Sequence, residues 1–486
     1  MFDAPHSPVL CDILKHSSLT PNKTALVEGT HRVTYIQLAT RIAAAAHYLR
    51  SLDIKPGERI VLTARKEVEF VYLYFAAHLL GIVNVVIDPS SPDDRLDYIN
   101  SIVQPVALFG ISGSGRCISY SDIDLSWEGG ELQDLPTVDS SSVADVMFTT
   151  GTTGAPKGVC LSHDNIAGSA ANINGFIGTG SSDIEALGLP LSHSFGLGRL
   201  RCVFRAGATM ILVGNFANLK AFFTVMENEH VTGFGMVPAV WQYIKRLSGR
   251  RIGKFADQLR YIEVGSAALP IEDKRLLMEL FPTTRLCVHY GLTEASRALF
   301  TELHADADCL TTIGRPVSSW VEVCIMDEDG NPMPNGEDGE LCVKGNMVTH
   351  SYFLQRDNQE AFFDDWFRTG DWGHRDSDGR FYLTGRKKEL INVGGEKVSP
   401  ATIEEAIRSL GVADCACVAI PDPNGILGEV PKAFLLNNGG KQPAIEDIKR
   451  QLALLLPAHE IPAEWEWIDQ IPRSASGKIQ RLKLKH

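Results

Sequence analysis

Between residues 148 and 158 the chain reads FTTGTTGAPKG, with four threonines, three glycines and one lysine in eleven residues. Glycines let backbone N–H groups turn inward toward an anion, and hydroxyls add further donors. Lys157 contributes a mobile positive charge. The chemistry that this composition suggests is phosphate binding by Thr149, Thr150, Gly151, Thr152, Thr153, Gly154 and Lys157. A flexible turn of the same composition is the alternative. The stretch is not a Walker loop, since Pro156 precedes the lysine and no G-x-x-x-x-G-K-[ST] pattern is present.

Four more stretches follow in order: YGLTE at 290–294, TGD at 369–371, GRKKELINVGGEKV at 385–398 and PRSASGKIQR at 472–481. Together with the first loop they resemble the signatures of the acyl-adenylate-forming superfamily, which includes acyl-CoA synthetases, stand-alone adenylation domains of peptide synthetases and luciferases. Each motif alone is moderately specific; five in the family's order, from residue 148 to 481, are very specific. The resemblance implies an AMP-forming acid–thiol ligase. Such an enzyme forms an acyl-AMP and pyrophosphate from a carboxylic acid and ATP, and a thiol then displaces AMP. The implied cofactors are ATP, Mg²⁺ and CoA, with the phosphopantetheine thiol of a separate carrier protein as the alternative acceptor.

Both partners in the first step are anions, so the reaction needs cations and donors at the meeting point. By resemblance, the threonines and Lys157 hold the β- and γ-phosphates, Thr293 donates to the α-phosphate, and Glu294 ligates Mg²⁺, a hard cation that prefers oxygen. Tyr290 with Gly291 would carry the adenine, beside Gly265, Ser266 and Ala267, a segment that departs from the family's commoner Gly-Gly-Ala-Pro. Asp371 would accept hydrogen bonds from the ribose hydroxyls, and Arg386 would reach the ribose or phosphate. Lys478 would bridge the carboxylate and the α-phosphate. Lys388 matches the family's hinge, and Gly395 would leave room for a pantetheine arm after a domain rotation.

His193, in LPLSHSFGLG, matches a family histidine that gates access to the acid site; a lone histidine can equally be a core residue. No acid stands near it, which disfavours α-amino acids as substrates. Phe195, Phe234, Met236, Val237 and Trp241 would form an apolar acyl pocket, although such residues also build any core. Arg199, Arg201 and Arg297 are open: one could meet a second polar group on the acid, or all three could be exposed or structural. A kinase or ATPase reading predicts ADP or phosphate as product. A non-catalytic nucleotide-binding scaffold would not need Lys157, Thr293, Glu294, Asp371 and Lys478 together.

Positioning these residues requires an alternating scaffold. ERIVLTA reads as a buried strand, EVEFVYLYFAAHLLG as a helix ending at Gly81 and VNVVID as the next strand, after a helical pattern running from Arg32 to Leu52. The expected fold is α/β: a large N-terminal domain of layered, parallel-rich sheets over 1–385, a hinge at 386–388, and a small mobile α+β domain over 389–486 that carries Lys478. In the latter, Ser399 is placed as an N-cap with Pro400 in the first turn of a helix.

The 486 residues, 44% hydrophobic and 22% charged, suit an ordinary globular chain, and a net charge of -13 argues against nucleic acid as a partner. The apolar run from 70 to 87 is interrupted by Gly81 and Asn84, so a buried helix and strand are expected, with no membrane span. Ten cysteines without a CxxC pair, and no secretory signal, lead to a cytoplasmic expectation.

Overall fold

The apolar run from 70 to 87 divides as expected into a helix, Val68–Leu79, buried except at Glu69, and a fully buried strand, Val83–Ile87. Gly81 turns the chain between them at φ 65°, a left-handed conformation that glycine adopts without strain. The computed structural model describes residues 8–111, 115–127, 135–149, 156–214, 216–437, 439, 442–473 and 479–484. Among these, no helix is long and apolar enough to cross a membrane.

The described chain falls into two packing units. The first comprises Met1–Leu310, Gly314–Glu322 and Val343–Phe367; the second comprises Thr311–Ile313, Val323–Cys342 and Arg368–His486. Residues 386–388 lie inside the second unit.

The first unit holds two sheets. An eight-stranded sheet has the order Leu299–Glu302, Arg285–Tyr290, Tyr261–Val264, Gly233–Met236, Ile184–Leu187, Thr209–Leu212, Thr24–Glu28, His31–Thr34. Its six inner strands run parallel, and only the two edge strands are antiparallel. A seven-stranded sheet runs from Ser351–Tyr352 through Lys157–Ser162, Val143–Thr149, Val83–Ile87, Arg59–Thr63 and Ala107–Phe109 to Cys117–Ile118. Parallel strands buried by helices on their faces read as continuous β-branched runs, and for that reason they were legible. The helical pattern expected from Arg32 begins only at Tyr35. Thr34 is its N-cap, accepting from Gln37 N while the Gln37 side chain accepts from Thr34 N, and His31–Thr34 pairs as an edge strand.

In the second unit, Asp371 to Arg375 pairs antiparallel with Phe381 to Arg386. Beyond 388, the strands Cys415–Pro421, Glu429–Leu436 and Glu464–Ile468 form a sheet, accompanied by the helices Pro400–Ser409 and Ile445–Leu452. Ser399 caps the first helix by accepting from Thr402 N, and Pro400 stands in its first turn, as the sequence indicates. Cys415 and Cys417 are buried in this core with Ile403, Ile407 and Leu435, and no disulfide joins any two of the ten cysteines, all of which are among the described residues.

Candidate active site

Strands Val143–Thr149 and Lys157–Ser162 form a hairpin in which Thr149 lies opposite Lys157. The expected site residues Thr150, Gly151, Thr152, Thr153 and Gly154 lie between these positions, outside the described residues, as does Lys478. The Lys157 Nζ lies 3.6 Å from Asp357 Oδ1 and 5.1 Å from the centroid of the Tyr352 ring. Tyr352 belongs to the short strand paired with Lys157–Ser162, opposite Val159. Its hydroxyl donates to Glu294 Oε1 at 2.8 Å, and the Glu294 carbonyl accepts from Thr349 N at 2.8 Å. Glu294 is buried, and its Oε2 takes no hydrogen bond from a described residue. A lysine and a carboxylate oxygen free to coordinate therefore share one aromatic ring. Among the described residues no cluster of three or more His, Cys, Asp or Glu could hold a metal, so a cation here would rest on Glu294 and on oxygens brought by a ligand.

Four of the other residues expected at a nucleotide site, Tyr290, Gly265, Ser266 and Ala267, lie at or follow the C-terminal ends of parallel strands, where ligands of open α/β sheets bind. Tyr290 ends the strand Arg285–Tyr290, and Gly265, Ser266 and Ala267 follow its neighbour Tyr261–Val264, with Val264 beside Val288. Close packing explains the glycines. A Cβ on Gly265 would lie 2.1 Å from the His289 ring, and one on Gly291 would lie 2.3 Å from Arg297 N. Thr293 follows, its Oγ1 3.4 Å from Ser194 Oγ, at the first residue of the helix Ser194–Ala206. His193 is the exposed N-cap of that helix, and Ser192 donates to Asp88 Oδ2 at 2.6 Å.

The apolar residues divide. In the strand Gly233–Met236 side chains alternate, so Phe234 and Met236 point one way into the core with Phe216, Phe222 and Trp241. Gly233 and Gly235 point the other way, where a Cβ on Gly235 would meet Leu189 Cδ1 and Phe195 Cε2 at 3.1 Å. Phe195 and the pair Phe234 and Met236 thus lie on opposite faces, and Val237 is half-buried at the strand's end.

The three open arginines are all buried and paired with carboxylates. Arg199 donates through Nε to Glu185 Oε1 at 2.8 Å and through Nη2 to Glu185 Oε2, and its Nη1 lies 3.5 Å from Glu263 Oε2. Arg297 donates to Glu263 Oε1 at 3.1 Å, and to the carbonyls of Ser194 and Phe195 at 3.1 Å each. It therefore ties the segment after Glu294 to the helix start that carries Phe195. Gly198 makes room for it, since a Cβ there would lie 2.7 Å from Arg297 Nη1. His289 Nδ1 lies 2.8 Å from Glu263 Oε1. Burial works to raise the Glu263 carboxyl, but Arg297, His289 and Arg199 hold it well below the carboxylate range. Burial lowers His289 despite Glu263, which favours the neutral imidazole beside Tyr290. Arg201 pairs with Asp145, to which Tyr74 also donates at 2.7 Å, while His78 Nε2 lies 3.0 Å from its other oxygen.

In the second unit Arg386 Nε lies 2.6 Å from Asp371 Oδ1, and Arg386 Nη1 donates to the Thr369 carbonyl at 3.2 Å. The two residues are directly opposite in the strand register, so the pairing follows from the sheet. Lys388 is exposed. Gly394 and Gly395 form the turn between Ile391–Val393 and Glu396–Val398 at φ 60° and 101°, and nothing lies within 4 Å of a Cβ built on Gly395. Residues that sequence reasoning missed are Tyr352, Glu185, Glu263 and His289. The two glutamates, 185 and 263, do leave a signal: each is a lone charge within an apolar strand and needs a buried partner. Tyr352 leaves none, because only the pairing with Lys157–Ser162 brings it to Glu294.

The chain matches the family model of the AMP-binding enzyme over residues 14–353 and that of the AMP-binding enzyme C-terminal domain over 402–478. Feruloyl-CoA synthase of Amycolatopsis sp is 28% identical, with 97% of each chain covered. Oxalate–CoA ligase of Arabidopsis thaliana is 30% identical, with 95% of each covered. The structure of o-succinylbenzoate CoA synthetase from Bacillus subtilis with its acyl-adenylate intermediate is similar at a TM-score of 0.87 and 25% identity, covering 98% of each chain. The same enzyme with ATP and a magnesium ion gives 0.87 at 26%, covering 98% of this chain and 99% of that one.

Proposed function

Because the chain belongs to the AMP-binding enzyme family, we propose that it is an AMP-forming acid–thiol ligase, which activates a carboxylic acid with ATP and passes the acyl group to CoA. The observation that carries this reading is the convergence of Gly265–Ala267, Tyr290, Thr293 and the His193–Phe195 helix start at the C-terminal ends of neighbouring strands. An adenine site, an α-phosphate donor and an acid site then adjoin one another.

In the first step a carboxylate oxygen of the acid bonds to the α-phosphorus, and the bond from phosphorus to the pyrophosphate oxygen breaks. Lys157 and the Thr/Gly loop hold the departing pyrophosphate, Thr293 donates to the α-phosphate, and Lys478 bridges the two reacting anions. Glu294 would hold a magnesium ion, which would supply charge neutralisation at the leaving group. Asp371 accepts hydrogen bonds from the ribose hydroxyls, and Arg386, 2.6 Å away, orients its carboxylate. In the second step the thiol sulfur bonds to the acyl carbon and AMP departs with the bonding electrons. Rotation at Lys388 would bring Gly395 beside the pantetheine arm.

CoA is the acceptor named for every relative described above, although their acids differ. The acid would sit by the helix start at His193–Phe195, where Phe195 packs against Gly235 and Leu189 in apolar surroundings that suit an aryl or aliphatic tail. Since Arg199, Arg201 and Arg297 are each committed to a buried carboxylate, the acid needs no second anionic group. Ten cysteines with no disulfide between them suit a reducing cytosol.

The test separates the two half-reactions. Lys388→Pro should leave acid-dependent pyrophosphate exchange within about threefold of wild type and abolish thioester formation, because proline fixes the backbone φ that a hinge must change. Equal loss of both halves would contradict the hinge. Thioester formed only on a phosphopantetheinylated carrier protein, and not on CoA, would replace CoA as the acceptor.

A further inference from the structure

Tyr352 stands between the two groups assigned to the pyrophosphate end of ATP, yet the chemistry above does not use it. The residue is 8% exposed. On one side it carries Lys157 Nζ, 5.1 Å from its centroid, a distance at which a cation is attracted to a ring face. On the other its hydroxyl donates to Glu294 Oε1 at 2.8 Å. The backbone is fixed as well: Tyr352 N donates to Asn358 Oδ1 at 2.7 Å, and the residue pairs with Val159. The carboxylate is thus held by one oxygen, and Oε2 takes no hydrogen bond from a described residue.

We propose that Tyr352 is a positioning residue for the metal: its hydroxyl fixes the Glu294 carboxylate so that Oε2 faces a divalent cation, while its ring steadies Lys157 beside the same phosphates. The proposal rests on Glu294 being the metal ligand. Residues that orient a ligating carboxylate are worth about 10- to 100-fold in metal affinity when removed.

Tyr352→Phe keeps the ring beneath Lys157 and removes only the hydroxyl. The readout is Mn²⁺ affinity, from electron paramagnetic resonance titration of the full-length protein with α,β-methylene-ATP, a nucleotide that cannot be cleaved at the reacting bond. Tyr352→Phe should weaken Mn²⁺ by about tenfold or more with thermal unfolding unchanged. A merely structural tyrosine would shift unfolding and leave Mn²⁺ affinity alone. Glu294→Gln is the reference. If it weakens Mn²⁺ and Tyr352→Phe does not, the role of Tyr352 is overturned; if neither does, the assignment of Glu294 fails first.

Discussion

Replacing Lys478 by Ala should cut acyl-adenylate formation by about 10²- to 10³-fold while ATP binds nearly as well as before. The reason lies in the charges. A carboxylate must approach a triphosphate, and a cation placed between them acts only as the bond forms, so its loss falls on the rate rather than on binding. The described arginines nearest this lysine, Arg473 and Arg481, are both paired. Arg473 pairs with Asp414 at 2.6 Å and bridges to Ile479 through the backbone. Arg481 reaches Glu404 at 2.7 Å and Glu389 at 3.0 Å. The measurement is pyrophosphate exchange beside calorimetric ATP binding. A third arm supplies synthetic acyl-AMP and CoA, and thioester formation there should survive if Lys478 serves the first step alone, as proposed. An unimpaired exchange rate, or equal loss in all three arms, would remove Lys478 from the mechanism.

Arg201→Met should destabilise the protein by about 3–5 kcal/mol, the usual cost of leaving a buried carboxylate without its partner. Asp145 and Arg201 are both buried, and they join the strand of the phosphate hairpin to the helix that begins at Ser194. Burial alone would raise the Asp145 carboxyl; Arg201 above all, with His78 and Tyr74, lowers it instead to about 2. A carboxyl depressed on folding contributes stability above its unfolded value and loses it as pH falls through the folded one. Wild-type stability should therefore decline between about pH 4 and pH 2, and Arg201→Met should flatten that decline. Chemical denaturation across this range measures both effects. Arg201→Met with Asp145→Leu should recover much of the loss, since an apolar pair carries no desolvation cost. A variant as stable as wild type would mean that the pair contributes nothing.

The alternating elements were legible because parallel strands and their covering helices carry plain hydrophobic signals, as in Val68–Leu79 followed by Val83–Ile87. Where two signals overlapped, the cap decided: Thr34 ends the strand pattern and starts the helix. The motif residues were legible through their order, and the fold brings Tyr290, Thr293 and the helix start at Ser194 to the same strand ends. Contacts between distant segments were not. The arginines at 199, 201 and 297 could not be assigned without knowing that Glu185, Asp145 and Glu263 face them from other strands. The apolar residues were grouped by character, but alternation along Gly233–Met236 sends Phe234 and Met236 away from Phe195.

The central claim is that this chain adenylates an acid. Exchange of labelled pyrophosphate into ATP, run without CoA across aryl, aliphatic and short dicarboxylic acids, tests it most directly. Exchange should depend strictly on an acid, be strongest with an apolar tail, and give AMP as the nucleotide product once CoA is added. No exchange with any acid, or release of ADP in place of AMP, would contradict it.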